Sequence, residues 1–229
     1  MIAAGLLITG TLVARDREPA VATAAPARRP LAAFVRAGNV APPTPLRGEA
    51  ARAIGPAGAH AAPAGRRAGL GAVRADATSI LRRWHRVYRL SGHYGVSPEL
   101  ATDIHDIAVA EGIEPDLAFR LVRAESEFNT HATSPVGAVG LTQVMPGTAR
   151  YYVAGVTKQR LYDPHLNLHV GFRYLRGLIR QYKSVRTALL VYNRGPVAVD
   201  AALERGDDPA NGYEELVAKG YHGAGTVGR

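Results

Sequence analysis

Prolines at the heads of apolar-periodic runs constrain this chain more than any other feature. Pro98, Pro115, Pro146, Pro164 and Pro196 each stand where such a run begins. Proline has no backbone N–H and a fixed φ, so it suits the first turn of a helix and breaks an interior one. The chain is therefore cut into short helices. Ser97-Pro98 opens one that carries Leu100, Ile104, Ile107, Ala108 and Glu111, and Gly112 closes it. Pro115 opens another, with Leu117, Leu121, Ala124, Glu125 and Phe128 along one side. Further helices are expected from Pro146 to about Ala154, from Pro164 to Tyr182 behind an Asp163 cap, and from Val185 to about Tyr192. A short one follows Pro196, and a last one runs near Tyr213 to Lys219. Ahead of them, from about Asp76, Ile80, Leu81, Trp84, Val87, Tyr88 and Leu90 recur at three- and four-residue spacing, and Ser91-Gly92 ends the run. Alternating strand patterns are scarce. The reading is a mostly α domain with short connections.

The first third of the chain has a different composition. Met1 to Ala14 is apolar and uncharged, too short for a membrane-spanning helix, which needs about 20 apolar residues. It fits the apolar core of a signal peptide, with Ala22-Thr23-Ala24 as a small-residue cleavage site. No basic residue precedes it, and Arg15, Asp16, Arg17 and Glu18 follow at once. Residues 15–75 hold ten Arg against three acids, or +7 of the chain's net +9, and Phe34 is their one aromatic residue. So little bulky apolar surface cannot offset the entropy of ordering. The expected organisation is a signal or targeting segment over 1–24, a disordered Ala/Pro/Arg-rich linker over 25–75, and the helical domain over 76–229. Because the basic excess sits in the linker, no nucleic-acid partner is expected. With no cysteine, disulfides and thiolate chemistry are excluded.

The chemistry concentrates in Glu125 to Met145, ESEFNTHATSPVGAVGLTQVM. Residues 117, 121, 125 and 128 fall on one helix face, so Glu125 lies on an apolar stripe. Glu127, about 200° around the helix, is assigned to the surface as an ion-pair partner of Arg123. A carboxyl among apolar groups resists ionisation. Moving it from about 4.3 to roughly 6 or more needs about 2.7 kcal/mol, within reach of burial. His165 and His169 have metal-ligand spacing but no third ligand in evidence, so they are read as a solvated pair, with no metal and no cofactor.

Four blocks in order resemble the lytic transglycosylases of the soluble, SLT-like type, which are related in fold to goose-type lysozyme. They are ESEFN at 125–129, SPVGAVGLTQVMPGTA at 134–149, YDPHLNLHVGFRYL at 162–175 and ALLVYNRGP at 188–196. The resemblance covers roughly residues 95–220. It implies a lysozyme-like helical domain with a glycan-binding cleft, and Glu125 as the catalytic acid. It also implies Ser134, Gln143, Met145, Tyr192 and Asn193 as substrate-binding residues. Phe128, Asn129, Gly137, Gly140 and Asn167 match cleft-shaping positions. Thr142 and Arg194 depart from the common Met and Ala, and Asn211-Gly212-Tyr213 is similar to the start of the family's last helix.

The implied reaction is non-hydrolytic cleavage of the MurNAc-β-1,4-GlcNAc bond of peptidoglycan to 1,6-anhydro ends, Glu125 acting as acid and then base. The implied partner is the glycan strand, in the periplasm or cell envelope after export. The same residues leave open a lysozyme-like hydrolase, or a weakly active wall-binding component among envelope or secretion-machine proteins. They also leave open a membrane contact through the N-terminal segment.

Overall fold

The computed structural model describes residues 70–227, with side chains from residue 77 onward. The targeting segment expected over 1–24, and the linker up to residue 69, lie outside the described residues. Helix α1 spans Leu70–Tyr94. It starts six residues before the expected point, where Ala72, Arg74 and Ala75 are good helix formers. It also runs through Ser91-Gly92 and stops at Gly95, whose φ is +66°.

The proline-headed helices follow as α2 (Pro98–Glu111), α3 (Pro115–Ser126), α4 (Pro146–Tyr152), α5 (Pro164–Tyr182), α6 (Val185–Arg194), α7 (Pro196–Glu204) and α8 (Tyr213–Ala218), with a 3-10 turn at Gln159–Tyr162. Their ends follow the expected capping chemistry. Ser97 Oγ accepts the Leu100 N–H at 3.2 Å and Asp163 Oδ1 the Leu166 N–H at 2.7 Å, each satisfying a donor the helix leaves free. Gly112 closes α2 in the left-handed conformation at φ +76°. No strand forms among the described residues; isolated bridges at Thr133–Val139 and Val139–Val144 brace the loop between α3 and α4.

Helix α5 packs between α2 and α6, and α8 lies against α3 and α6. The main core gathers Ile104 of α2, Leu117, Phe119 and Leu121 of α3, Phe172 and Leu175 of α5, Leu189 of α6 and Tyr213 of α8. Each such side chain contributes about 1.5–3 kcal/mol on burial. A smaller cluster of Val139, Val144, Ala149, Leu161 and Val170 seats the loop on α5.

The apolar pattern of α1 ends up differently. Only Val87 and Leu90 of its periodic residues are buried, whereas Ile80, Leu81, Trp84 and Tyr88 are exposed. The reason is geometric: α1 packs chiefly on α2, so one narrow stripe of it is covered.

Candidate active site

Glu125 is the penultimate residue of α3, and the chain leaves that helix abruptly. Glu127 and Phe128 both take positive φ, +51° and +66°. Non-glycine residues rarely adopt this conformation, and it costs about 1 kcal/mol or more at each. Phe128 repays some of that by packing its ring against Tyr94 and Phe119. Helix geometry thus ends one residue too early for the assignment of Glu127. It caps the helix through its N–H to Arg123 O at 3.1 Å, its side chain is exposed, and no Arg123–Glu127 ion pair forms among the described residues. A left-handed cap turns the side chain off the wheel on which that pair was reckoned.

The loop that follows is bonded into one piece. Asn167, fully buried on α5, is its anchor. Its Nδ2 donates to Val139 O at 2.8 Å and Leu161 O at 2.9 Å, and its Oδ1 accepts from Thr142 N at 2.8 Å and Thr142 Oγ1 at 2.7 Å. Gly140 must be glycine beside it. Its φ is +77°, and a Cβ there would meet the Asn167 amide and sit 2.8 Å from Leu161 O. On the side of α3, Ser126 Oγ donates to Leu141 O at 2.8 Å. Thr142, a departure from the family pattern, is fully buried and used by Asn167.

Three side chains converge where this floor meets the second half of the domain. Tyr213, in the first turn of α8, donates its hydroxyl to Glu125 Oε1 across 88 residues of sequence. Tyr192, on α6, donates to Thr142 O at 2.8 Å and packs against Tyr174. The Glu125 carboxyl is desolvated by burial, which pushes its pKa up to about 8; the Tyr213 hydrogen bond pulls the other way but does not win. Burial raises both phenols well above their ordinary value, and the nearby Glu125 charge raises them further, so they act as neutral donors. Glu125 keeps partial exposure, so a ligand can reach it. The result is a carboxyl protonated at neutral pH, within reach of solvent and aimed by a phenol. It can give up a proton and take one back.

The other residues singled out from sequence lie in the loop and at the ends of α4 and α6. Ser134 is buried and its Oγ accepts the Ala138 N–H at 3.0 Å. Gln143, at φ +46°, donates from Nε2 to Gly140 O at 2.9 Å and Ala132 O at 3.2 Å. Met145 occupies the N-cap of α4, partly exposed. Asn193 Oδ1 accepts from Asn211 Nδ2 at 2.8 Å, tying the end of α6 to the approach to α8. Asn129 Oδ1 accepts the His131 N–H at 2.9 Å, and Gly137 bends the loop at φ +93°. Tyr213 was not assigned a role from sequence. The signal available was its position directly after Asn211-Gly212, at the mouth of the last helix.

Of the two histidines expected to be solvated, His165 stays largely exposed while His169 does not. His165 Nε2 lies 3.3 Å from Asp103 Oδ2, and His169 Nδ1 donates to Glu111 Oε1 at 2.8 Å. The reason is that α5 packs on α2 and sets each imidazole opposite a carboxylate. Among the described residues no three His, Asp or Glu side chains gather as a metal set.

Residues 104–212 match the family model described as "Transglycosylase SLT domain". Among curated proteins, the transglycosylase of Enterobacteria phage PRD1 is 43% identical over 83 residues, covering 36% of this chain and 30% of the relative. The soluble lytic murein transglycosylase of Escherichia coli K12 is 37% identical over 91 residues, 37% of this chain and 14% of the relative. Membrane-bound lytic murein transglycosylase C of Haemophilus influenzae PittGG is 34% identical over 122 residues, 47% and 34% respectively. The matched part is thus at most about a third of these relatives' length. Of solved structures, the 70 kDa soluble lytic transglycosylase of E. coli aligns at 27% identity over 56% of this chain and 24% of its own, with a TM-score of 0.46. The lytic transglycosylase Slt of Pseudomonas aeruginosa aligns at 28% identity over 50% and 21%, with a TM-score of 0.43.

Proposed function

We propose that this chain, whose residues 104–212 match the transglycosylase SLT domain model, is a peptidoglycan lytic transglycosylase with Glu125 as its one catalytic carboxyl. The observation that carries the reading is the state of that group. It sits at a helix end, faces no cation, is held near pH 8 by burial and accepts a hydrogen bond from Tyr213. Ordinary glycosidases place a second carboxyl across the scissile bond for water or as nucleophile. Here the next buried acid along the chain, Glu214, faces Arg186 at 3.2 Å instead.

One carboxyl suffices when the substrate supplies the rest. Protonated Glu125 gives its proton to the glycosidic oxygen between N-acetylmuramic acid and N-acetylglucosamine, and that C–O bond breaks. The muramic N-acetyl group shields the cationic carbon. The Glu125 carboxylate then takes the proton of the sugar's own C6 hydroxyl, whose oxygen bonds to the anomeric carbon and closes the 1,6-anhydro ring. Glu125 ends protonated, as it began, and no water is consumed. The Tyr213 hydroxyl steadies the carboxylate between the two transfers, when its charge is fullest. Tyr192 contributes a neutral phenol beside the reacting sugar. Ser134, Gln143, Met145 and Asn193 shape the glycan subsites through the loop and the end of α6.

The substrate belongs to the cell envelope, so the chain acts there. Residues 1–24 serve export to the periplasm and the linker ahead of α1, residues 25–69, tethers the domain among envelope or secretion-machine proteins. The test is the mass of muropeptides released from purified peptidoglycan by the full chain. Anhydro ends, one water lighter than hydrolytic ends, are expected. Hydrolytic ends would reassign the protein as a lysozyme-like hydrolase, and glycan binding without release would make it a wall-binding component.

A further inference from the structure

On the exposed side of α1, two parallel stripes run side by side, and neither contains a residue of the candidate site. Leu81, Trp84 and Tyr88 recur at i, i+3 and i+7 and are 69%, 52% and 80% exposed. Next to them on the wheel stand His85, Arg82, Arg86 and Arg89, all exposed. Arg82, Arg86, Arg89, Leu81 and His85 line an open groove with His105 of α2. Arg83, turned toward α2, is the arginine of this run that is neutralised: its Nε donates to Asp106 Oδ1 at 2.8 Å. Arg82, Arg86 and Arg89 have no hydrogen-bond or carboxylate partner among the described residues.

The arginines are at ease in water, but three large apolar side chains left exposed along the same helix are not, and the two rows lie side by side. Large apolar side chains grouped on an exposed face and bordered by one sign of charge are a feature of interaction sites. We propose that this face of α1 docks on an anionic lipid surface, the arginines on the headgroup phosphates and Leu81, Trp84 and Tyr88 at the boundary of the acyl region. A basic row beside a Trp/Leu row is the pattern of helices that lie in the plane of a bilayer interface, and Trp and Tyr favour the headgroup level. No described helix is long and apolar enough to cross a membrane.

Charge complementarity selects this occupant over the chain itself. Residues 1–69 carry nine Arg against three acids and would be repelled by the arginine row, as would the same face of a second copy. A polyanion without apolar surface would leave the Leu81–Trp84–Tyr88 stripe in water. A lipid surface satisfies both stripes at once.

Trp84 is the chain's sole tryptophan, so its emission reports on this face alone. The full chain is titrated with vesicles of phosphatidylcholine, and with vesicles of equimolar phosphatidylcholine and phosphatidylglycerol. A blue shift and loss of acrylamide quenching are expected with the anionic vesicles only, weakening as salt is raised. The triple variant Arg82→Glu, Arg86→Glu, Arg89→Glu should bind on the order of 10²-fold or more weakly. Leu81→Ser with Tyr88→Ser should keep sedimentation with the vesicles but lose most of the shift, and it provides a second reading if the triple variant misfolds. Several results would overturn the proposal. They are an unchanged Trp84 on vesicles that sediment the protein, an equal shift on neutral vesicles, or a shift that survives the triple reversal. A Trp84 already shielded in the free protein would place residues 1–69 or a second copy on the stripe. Equal shielding by duplex DNA would assign the face to a nucleic acid. Because the readout is Trp84, failure here leaves the cleavage assignment where it stands.

Discussion

Two glutamates at the ends of adjacent helices show how far packing sets the chemistry of one residue type. Glu111 closes α2 and Glu125 all but closes α3, and both carboxyls are withdrawn from water, which by itself opposes charge. Opposite Glu111, however, α5 presents cations. Arg173 donates to both its oxygens at 2.9 and 2.6 Å, and His169 donates at 2.8 Å. These bonds outweigh burial and bring its pKa down to about 2. Opposite Glu125, α8 presents only the neutral Tyr213, so burial wins and the pKa rises to about 8. Glu111 is a permanent anion that clamps α2 to α5. Glu125 is held protonated, the form that its proposed acid–base role requires.

The sharpest way to break that contrast is to remove each carboxylate in turn. Glu125→Gln should lower peptidoglycan cleavage by about 10²–10⁴-fold with the fold intact, since general acid–base catalysis contributes that much. Near-wild-type release of muropeptides would end the assignment. Its stability should move with pH in a set direction. Glu125 is protonated in the folded chain up to about pH 8 but ionises above about 4.3 when unfolded. The folded state therefore binds the extra proton in that window, and stability is lost as pH rises through it. Glutamine cannot titrate, so wild type should weaken relative to Glu125→Gln from about pH 4.3 to 8 and then level off. Denaturant midpoints read this directly.

Glu111→Gln should do the reverse, costing about 3 kcal/mol of stability at pH 7 by removing the carboxylate that Arg173, 11% exposed, and His169 bond to, while leaving catalysis intact below the melting point. The sign with pH is opposite as well. A carboxylate depressed to about 2 stabilises fully above the unfolded value near 4.3, and that contribution is lost as pH falls toward 2. A Glu111→Gln protein as stable as its parent, or one inactive while folded, would undo the division of labour.

The smallest effect sharpens the contrast rather than breaking it. Tyr213→Phe removes the bond that favours ionised Glu125, so the alkaline limb of the pH–rate profile should move to higher pH. The rate at its plateau should fall by less than in Glu125→Gln. A limb that stays in place would show that the phenol does not bear on the carboxyl.

Much of this architecture was legible residue by residue. Pro98, Pro115, Pro164 and Pro196 mark helix starts because proline constrains its own backbone wherever it stands, and Asp163 and Ser97 cap because a side-chain oxygen reaches N–H groups only three residues on. The apolar stripe of α3 placed Glu125 among leucines for the same reason: helix periodicity is local. The errors arose where the outcome depends on a partner. The i, i+4 histidines gave no sign of Asp103 or Glu111 on another helix. Glu127 looked helical until the chain turned left-handed beneath it. Leu81, Trp84 and Tyr88 have the spacing of a packed face and lie open because nothing in the described domain covers them.

Taken alone, the sequence determined the helical class, the helix boundaries to within a few residues over most of the domain, and a carboxyl on an apolar face at a glycine-rich loop. Those properties follow from backbone constraints and from neighbours three or four residues apart. Only the tertiary structure decided that Glu125 meets Tyr213 from α8 while Glu111 meets Arg173 and His169 from α5. A buried carboxyl's proton depends on which charges and donors lie within a few ångströms, and those come from residues tens of positions away that only packing brings near.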